Sequence, residues 1–237
     1  MKKTQKNIMI LLVGVNLFAG CRTRHEEVRK HTVKEDLIYS DTTHSIDTSD
    51  TKSAYVTPDD FFEVKTDSLD IINKMVYATK ENFTKQQLYP CPTCWLRKDA
   101  AIALMNAQNE AKRLNYVIVI FDCYRPYYIQ KKMYNLINNP DYVANPGKGS
   151  NHNKGCAVDV SLADSMGNLL NMGTEFDDFT KYAHYTNTAF GSPEGANRKL
   201  LRKIMTSSGF IPYDKEWWHF NYSRQDYSVA DFIWQCK

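Results

Sequence analysis

Glycine and proline are scarce in this sequence, 10 and 8 among 237 residues, which excludes a collagenous or low-complexity chain. A surplus of one charge is also missing. Of the 30 basic residues, Lys2, Lys3 and Lys6 fall in the first twenty, and the remainder balance the 27 acidic residues. A nucleic-acid binder needs a basic surplus to displace counterions from phosphates, so no nucleic-acid partner is expected. No internal repeat breaks the chain into modules, and its length is too short for two full domains. What is present is an ordinary globular composition. Hydrophobic residues make up 43% and charged residues 24%, enough apolar material over this length to close one sizeable core.

The N-terminus reads as an address. Met1 to Lys6 carries three positive charges, and residues 7–20 are mostly apolar and end at Cys21, the layout of a secretory signal. The run is too short for a permanent span, which needs about 20 apolar residues, and Asn16 interrupts it. Leu17-Phe18-Ala19-Gly20-Cys21 resembles a bacterial lipobox, which implies cleavage before Cys21 and a lipid on that cysteine. The expected organisation is a signal peptide over 1–20, a flexible tether over 21–58 and a folded domain over 59–237. The lipid would hold the protein to a membrane at the extracytoplasmic face of a bacterial cell envelope. The tether is rich in Thr, Ser, Asp, Lys and His without sustained periodicity. Its His25, His31 and His44 read as solvated side chains, because a metal role would need a fold the segment lacks.

The remainder has an α+β pattern. Residues 67–77 suit a strand or a short helix. From Leu96 to Asn115, Leu96, Ala100, Ala103, Leu104, Ala107, Ala111 and Leu114 recur at helical spacing. Tyr116 to Phe121 is the β-branched run of a buried strand, and a helix is expected from Pro126 to about Asn138. Gly155 to Leu162 alternates, with Cys156, Val158, Val160 and Leu162 on one face and Ala157, Asp159 and Ser161 on the other. Pro193 to Ser208 reads as an amphipathic helix stopped by Gly209. Residues 210–222 read as strand, and 227–234 as a last short packed element.

Asp159 is anomalous, because a carboxylate on so apolar a strand costs several kcal/mol unless something positive meets it. A metal ion would do so. His152 lies seven residues upstream in a loop of small and polar residues, and Glu216-Trp217-Trp218-His219 sets an acid and an imidazole three apart among aromatics. Two histidines and one aspartate leave a fourth position open, as in a catalytic rather than a structural zinc site. Glu216 is expected at a bend before the strand proper, since positions three apart on a regular strand face opposite ways. There it could take a proton from water whose pKa zinc lowers to about 7. Arg125 follows a buried strand in Asp122-Cys123-Tyr124-Arg125-Pro126 and could steady the oxyanion of an attacked carbonyl. Taken singly, these residues have plainer readings. Arg125 is available as a structural ion-pair partner for Asp159, and a histidine among aromatics is usually a packed core residue.

The combination resembles a known family. Ser150-Asn151-His152-Asn153-Lys154-Gly155-Cys156-Ala157-Val158-Asp159 matches the pattern S-x-H-x-x-G-x-A-x-D, and Glu216-Trp217-Trp218-His219 matches E-x-W-H, of the zinc D-Ala-D-Ala peptidases. The resemblance is closest to the D-alanyl-D-alanine dipeptidases of the vancomycin-resistance type. Tyr77-Ala78-Thr79, Asn82-Phe83-Thr84, Tyr124-Arg125-Pro126 and the run from Met172 to Asp177 support it in the family's order. It implies a small, mainly antiparallel sheet with flanking helices, of the D-Ala-D-Ala peptidase (hedgehog-like) type. It implies one Zn²⁺ per chain on His152, Asp159 and His219, with Glu216 as general base and Arg125 polarising the carbonyl. Asp177 aligns with the acid that receives the dipeptide's ammonium group, with Asp178 beside it as the alternative, and Ser150 is assigned to the other end of the substrate.

The cysteines depart from that pattern. Cys91-Pro92-Thr93-Cys94 has neither a second C-x-x-C nor a thioredoxin-like context, so a disulfide, local or to other cysteines, is the plainer reading outside the cytoplasm. Cys123, Cys156 and Cys236 leave an odd number once Cys21 is lipidated, and the pairing stays open. The lipoprotein signal also points away from cytoplasmic dipeptide and toward turnover or salvage of wall-derived dipeptides. The alternatives are a D,D-carboxypeptidase or L,D-endopeptidase on longer wall peptides, a wall-binding lipoprotein without turnover, and a thiol–disulfide protein using Cys91 and Cys94.

Overall fold

The computed structural model describes residues 58–137, 143–187, 192–222 and 226–237. The signal, Cys21, the tether before Pro58 and the expected helix end at Asn138 lie outside the described residues.

The described elements in chain order are β1 (Phe61–Glu63), α1 (Thr66–Leu69), β2 (Ile72–Asn73), β3 (Trp95–Arg97), α2 (Lys98–Arg113), β4 (Tyr116–Asp122), α3 (Tyr127–Ile137), β5 (Ala157–Asp164), α4 (Pro193–Ser207), β6 (Ile211–Tyr213) and β7 (Glu216–Asn221). Five strands form one sheet in the order β2-β4-β5-β7-β6, and β1 pairs with β3 in a separate antiparallel ribbon. Only β2–β4 is parallel; β4–β5, β5–β7 and β7–β6 are antiparallel. The α+β, mainly antiparallel architecture expected from the sequence is the one observed.

The centre of the sheet follows from side-chain chemistry. β4 is β-branched through Val117–Ile120 and pairs with β5 from Tyr116↔Asp164 to Asp122↔Asp159. Ala157 to Ala163 are all buried, because both faces of β5 are covered. The alternation in that strand therefore separates a core face from a cleft face rather than core from solvent. α2 buries Leu104 together with Ala100, Ala103, Ala107 and Ala111, and the small alanines let the helix lie close to its neighbours. Its start differs from the expected Leu96. Leu96 belongs to β3, opposite Phe62, and Arg97 stays extended to donate its N–H to the Gly155 carbonyl, so the helix begins at Lys98. α4 begins as expected, with the Ser192 hydroxyl accepting from Gly195 N–H at 3.0 Å and Pro193 in the first turn.

Residues 67–77 resolve into most of α1, all of β2 and a single 3-10 turn from Val76. Residues 210–222 form a hairpin, β6 and β7, joined through Asp214 and Lys215. The segment after Asp226 packs without helix or strand. Phe232 stacks on Tyr124 with ring centroids 4.5 Å apart, and Trp234 is buried.

Among the described residues two disulfides tie this frame, Cys91–Cys236 and Cys94–Cys123, with Cys156 a buried free thiol. Each half of the C-x-x-C thus bridges a distant partner, and the thiol–disulfide alternative loses its dithiol.

Candidate metal centre and active site

Three side chains from remote segments converge. β5 carries Asp159, and the antiparallel register sets His219 of β7 directly opposite it. His152 comes from the turn that precedes β5. That turn closes through Gly155 N–H to the His152 carbonyl, and Gly155 adopts a positive φ of 71°. A Cβ there would sit 2.3 Å from the Phe61 ring, so only glycine fits.

His152 Nε2 lies 3.1 Å from His219 Nδ1, His219 Nδ1 lies 2.9 Å from Asp159 Oδ1, and Asp159 Oδ1 lies 3.3 Å from His152 Nε2. A tetrahedral zinc with arms of about 2.0–2.1 Å would hold its ligand atoms about 3.3 Å apart, so the three edges match the base of such a site. The remaining ring nitrogens are engaged behind it. His152 Nδ1 is 2.6 Å from the Cys123 carbonyl oxygen, and His219 Nε2 is 2.9 Å from Asn221 Oδ1. With a metal at the shared point, each imidazole would donate that N–H to its acceptor and turn its unprotonated nitrogen to the ion. Both the donor set and its backing fit a divalent metal.

The electrostatics agree. Burial works against the Asp159 carboxylate, but His152 and His219 outweigh it and hold the carboxyl well below the usual range. Burial likewise works against a charged His219, and the hydrogen bond and charge of Asp159 overcome it, pushing the imidazole up to about 9.

Glu216 opens β7, and its Oε2 is 3.8 Å from His219 Nδ1. The hairpin explains how positions three apart share one cleft. Pro212 pairs with Phe220 but Tyr213 pairs with Glu216, so β7 advances four residues while β6 advances one. This irregularity resets the facing. Burial raises the Glu216 carboxyl above its ordinary range, Asp159 adds to the effect, and His219 partly opposes it.

Arg125 lies just beyond β4 and is buried, with 8% exposure. It does not pair with Asp159 in the structural ion pair considered above. Its Nε and Nη2 donate to Asp122 Oδ2 at 3.1 and 2.6 Å, and Nη1 donates to Gln130 Oε1 at 2.8 Å. Arg125 N–H also donates to the His152 carbonyl, and Asn153 Nδ2 donates to the Arg125 carbonyl, so this turn and the His152 loop are one unit. Burial opposes the guanidinium charge, but Asp122 more than offsets it and keeps Arg125 ionised.

A cleft of about 350 Å³ gathers His152, Asp159, His219, Glu216, Arg125 and Asp177 in its wall, and Ser150 also lines it. Ser150 Oγ accepts from His152 N–H at 3.3 Å. Asp177 takes a positive φ of 61° and accepts from the Tyr77 hydroxyl at 3.1 and 3.0 Å. Burial raises its carboxyl well above the ordinary range, Asp159 adds repulsion, and Tyr77 partly offsets both. Asp178 instead accepts from Thr180 N–H, so of the two acids Asp177 is the one in the cleft.

The family description "D-Ala-D-Ala dipeptidase" matches residues 58–235. The chain belongs to this family. Two relatives, both named D-alanyl-D-alanine dipeptidase, come from Escherichia coli K12 and Enterococcus faecalis V583. The first is 36% identical and aligns 64% of this chain with 78% of its own length; the second is 34% identical, with 66% and 88% aligned. A solved LD-carboxypeptidase, LdcB, is 25% identical over 70% of this chain and 69% of its own, at a TM-score of 0.41.

Sequence reasoning about this dipeptidase-family chain missed the supports of the site. Asp122, fully buried, holds Arg125 and also accepts from the Tyr89 hydroxyl at 2.7 Å and from Cys123 N–H at 2.9 Å. A carboxylate three residues before an arginine at a strand end was the available signal. Tyr77 stood within a quoted motif without a role. Asn221, which backs His219, had only its place two residues further along the same strand as a signal.

Proposed function

We propose that this chain hydrolyses D-alanyl-D-alanine, or a closely similar dipeptide, to free amino acids, with one zinc ion held by His152, Asp159 and His219. The observation that carries the reading is the triangle of Nε2, Oδ1 and Nδ1 atoms with edges of 2.9 to 3.3 Å, and Glu216 Oε2 3.8 Å from one of its corners. When bound, zinc supplies a Lewis acid that polarises the scissile carbonyl and acidifies water. Glu216 takes the proton of the attacking water on its carboxylate and returns it to the leaving amine nitrogen, and its raised pKa suits both transfers. Arg125 stabilises the oxyanion; its guanidinium is oriented in advance by Asp122 and Gln130, so little reorganisation accompanies the reaction.

Asp177 receives the ammonium group of the dipeptide. A cation beside that carboxyl offsets its burial and restores its charge. A peptide extended at its N-terminus would leave the acid uncompensated, which favours the dipeptide over longer wall peptides. Ser150 holds the carboxylate end. The lipid on Cys21 and an envelope location, serving turnover or salvage of wall dipeptides, are supported by the first twenty-one residues of the sequence.

The test is elemental analysis of the purified chain together with D-alanine release before and after chelation. One zinc per chain, with cleavage lost on chelation and restored by zinc, is the expected result. A metal-free chain of full activity would remove the mechanism. A pentapeptide offered in parallel distinguishes a carboxypeptidase, and the mass of the N-terminal peptide from cells tests the lipid.

A further inference from the structure

Arg198, on α4, lies outside the cleft wall and is 2% exposed. Among the described residues no carboxylate lies within salt-bridge distance of its guanidinium, and Asp178 acts on it only by its charge from further off. Backbone carbonyls meet it instead: Nε donates to Met172 at 2.5 Å, Nη1 to His184 at 2.9 Å and Nη2 to Tyr182 at 3.0 Å. These three acceptors stand on both sides of residues 173–181, the stretch that brings Asp177 to the cleft. One rigid planar fork thus closes the loop at its base.

The rest of α4's first turns point the same way. Glu194 Oε1 accepts from Asn171 Nδ2 at 3.0 Å, and Asn197 Nδ2 donates to the Asn171 carbonyl at 2.9 Å. From β7, Trp217 Nε1 donates to Thr174 Oγ1 at 2.8 Å, and the Arg198 guanidinium lies 5.9 Å from the Trp217 ring centre. Trp217 is itself two residues from His219. Within the loop, Asp177 sits in the left-handed region, which a non-glycine residue leaves readily unless its flanks are fixed. Its desolvated carboxyl would also gain by swinging out to water. An arginine buried without a direct ion-pair partner is a costly way merely to fill a core, and a loop that must hold an unfavourable backbone and an unfavourable charge is a reason for it.

We propose that Arg198 is a positioning residue for Asp177, setting the loop geometry that selects substrates with a free ammonium group. The inference rests on the reading of Asp177 as the ammonium acceptor. The experiment uses the full chain with zinc restored, and compares D-Ala-D-Ala with N-acetyl-D-Ala-D-Ala for the parent, Asp177→Asn, Arg198→Met and Arg198→Lys. Arg198→Met is expected to raise KM for the free dipeptide about 10-fold or more, to change kcat less than about 3-fold and to leave zinc content unaltered. Its preference for the free over the acetylated dipeptide should fall about 10-fold, with Arg198→Lys intermediate.

A lower melting temperature with KM and preference unchanged would mean that Arg198 only stabilises the fold, and would overturn the proposal. If Asp177→Asn keeps the preference, the reading of Asp177 fails, and this inference with it. If Asp177→Asn loses the preference while the Arg198 variants keep it, the positioning role fails alone. Should Arg198→Met not fold, Arg198→Lys decides, since it keeps the charge and stem but not the fork: an unchanged preference overturns the proposal and a reduced one supports it.

Discussion

His219 stands opposite Asp159 in the β5–β7 pairing, with its Nδ1 2.9 Å from Oδ1 and its Nε2 held by Asn221. Directly opposed positions in an antiparallel pair project from the same face of the sheet, so the register aims both side chains at one point. His152 completes that point from a loop tied to the Arg125 turn. The cleft's chemistry therefore rests on one strand pairing and one short turn.

Separating ligand from base is the first prediction. Glu216→Ala is expected to keep its zinc and lose about 10²–10⁴-fold in turnover, the range for a removed general base. His219→Ala is expected to lose both metal and activity. Metal analysis beside a D-alanine release assay checks each, and parent-level activity in either variant would refute the assigned roles.

Arg125→Ala should lower kcat about 10²–10³-fold, more than it raises KM, because an oxyanion donor acts mainly in the transition state. Asp122→Ala should instead be read first as stability. It leaves the buried Arg125 guanidinium without its carboxylate, and a loss of about 3–5 kcal/mol in denaturant unfolding is expected. A loss below about 1 kcal/mol would show that Gln130 and solvent suffice to hold the arginine.

Asp177 has a folded pKa raised above its unfolded value, so folding favours the neutral form relative to the unfolded chain. Its contribution to stability is complete below the unfolded pKa of about 3.9 and is lost as pH rises through the folded value. Asp177→Asn, permanently neutral, should therefore raise the melting temperature of the substrate-free protein at pH 8. The gain should shrink toward pH 4. The same variant should bind the dipeptide worse. Melting curves across pH test the sign, and a variant less stable than the parent at pH 8 would contradict it.

Burial pushes the Cys156 thiol up to about 11, so the reactive thiolate is scarce at neutral pH. Iodoacetamide at pH 8 should modify Cys156 slowly in the native protein and rapidly after unfolding. Peptide mapping reads the difference, and equal rates would show that the thiol is open to solvent.

Much of this was legible in one dimension because periodicity and rare residue combinations survive without coordinates. β4 is a run of β-branched residues, α4 announces its start with Pro193, and Asp159 stands out as a charge on an apolar strand. The start of α2 was misplaced because Leu96 suits a helix face and a strand face equally, and only the pairing with Phe62 chose between them. The partner of Arg125 was missed, because the sequence reading considered only Asp159. Asp122, three residues earlier at the end of β4, holds the guanidinium instead.

By itself the sequence determined the types of the longer elements, the set of side chains that gather at the centre and the family signature they make. These properties depend on residue identity and local spacing. Which nitrogen of each histidine faces the shared point, which acid reaches the cleft, how Arg125 is held and which cysteines join were decided by the tertiary structure. Each depends on the distance between atoms remote in the chain, which strand register and loop closure set and composition does not encode.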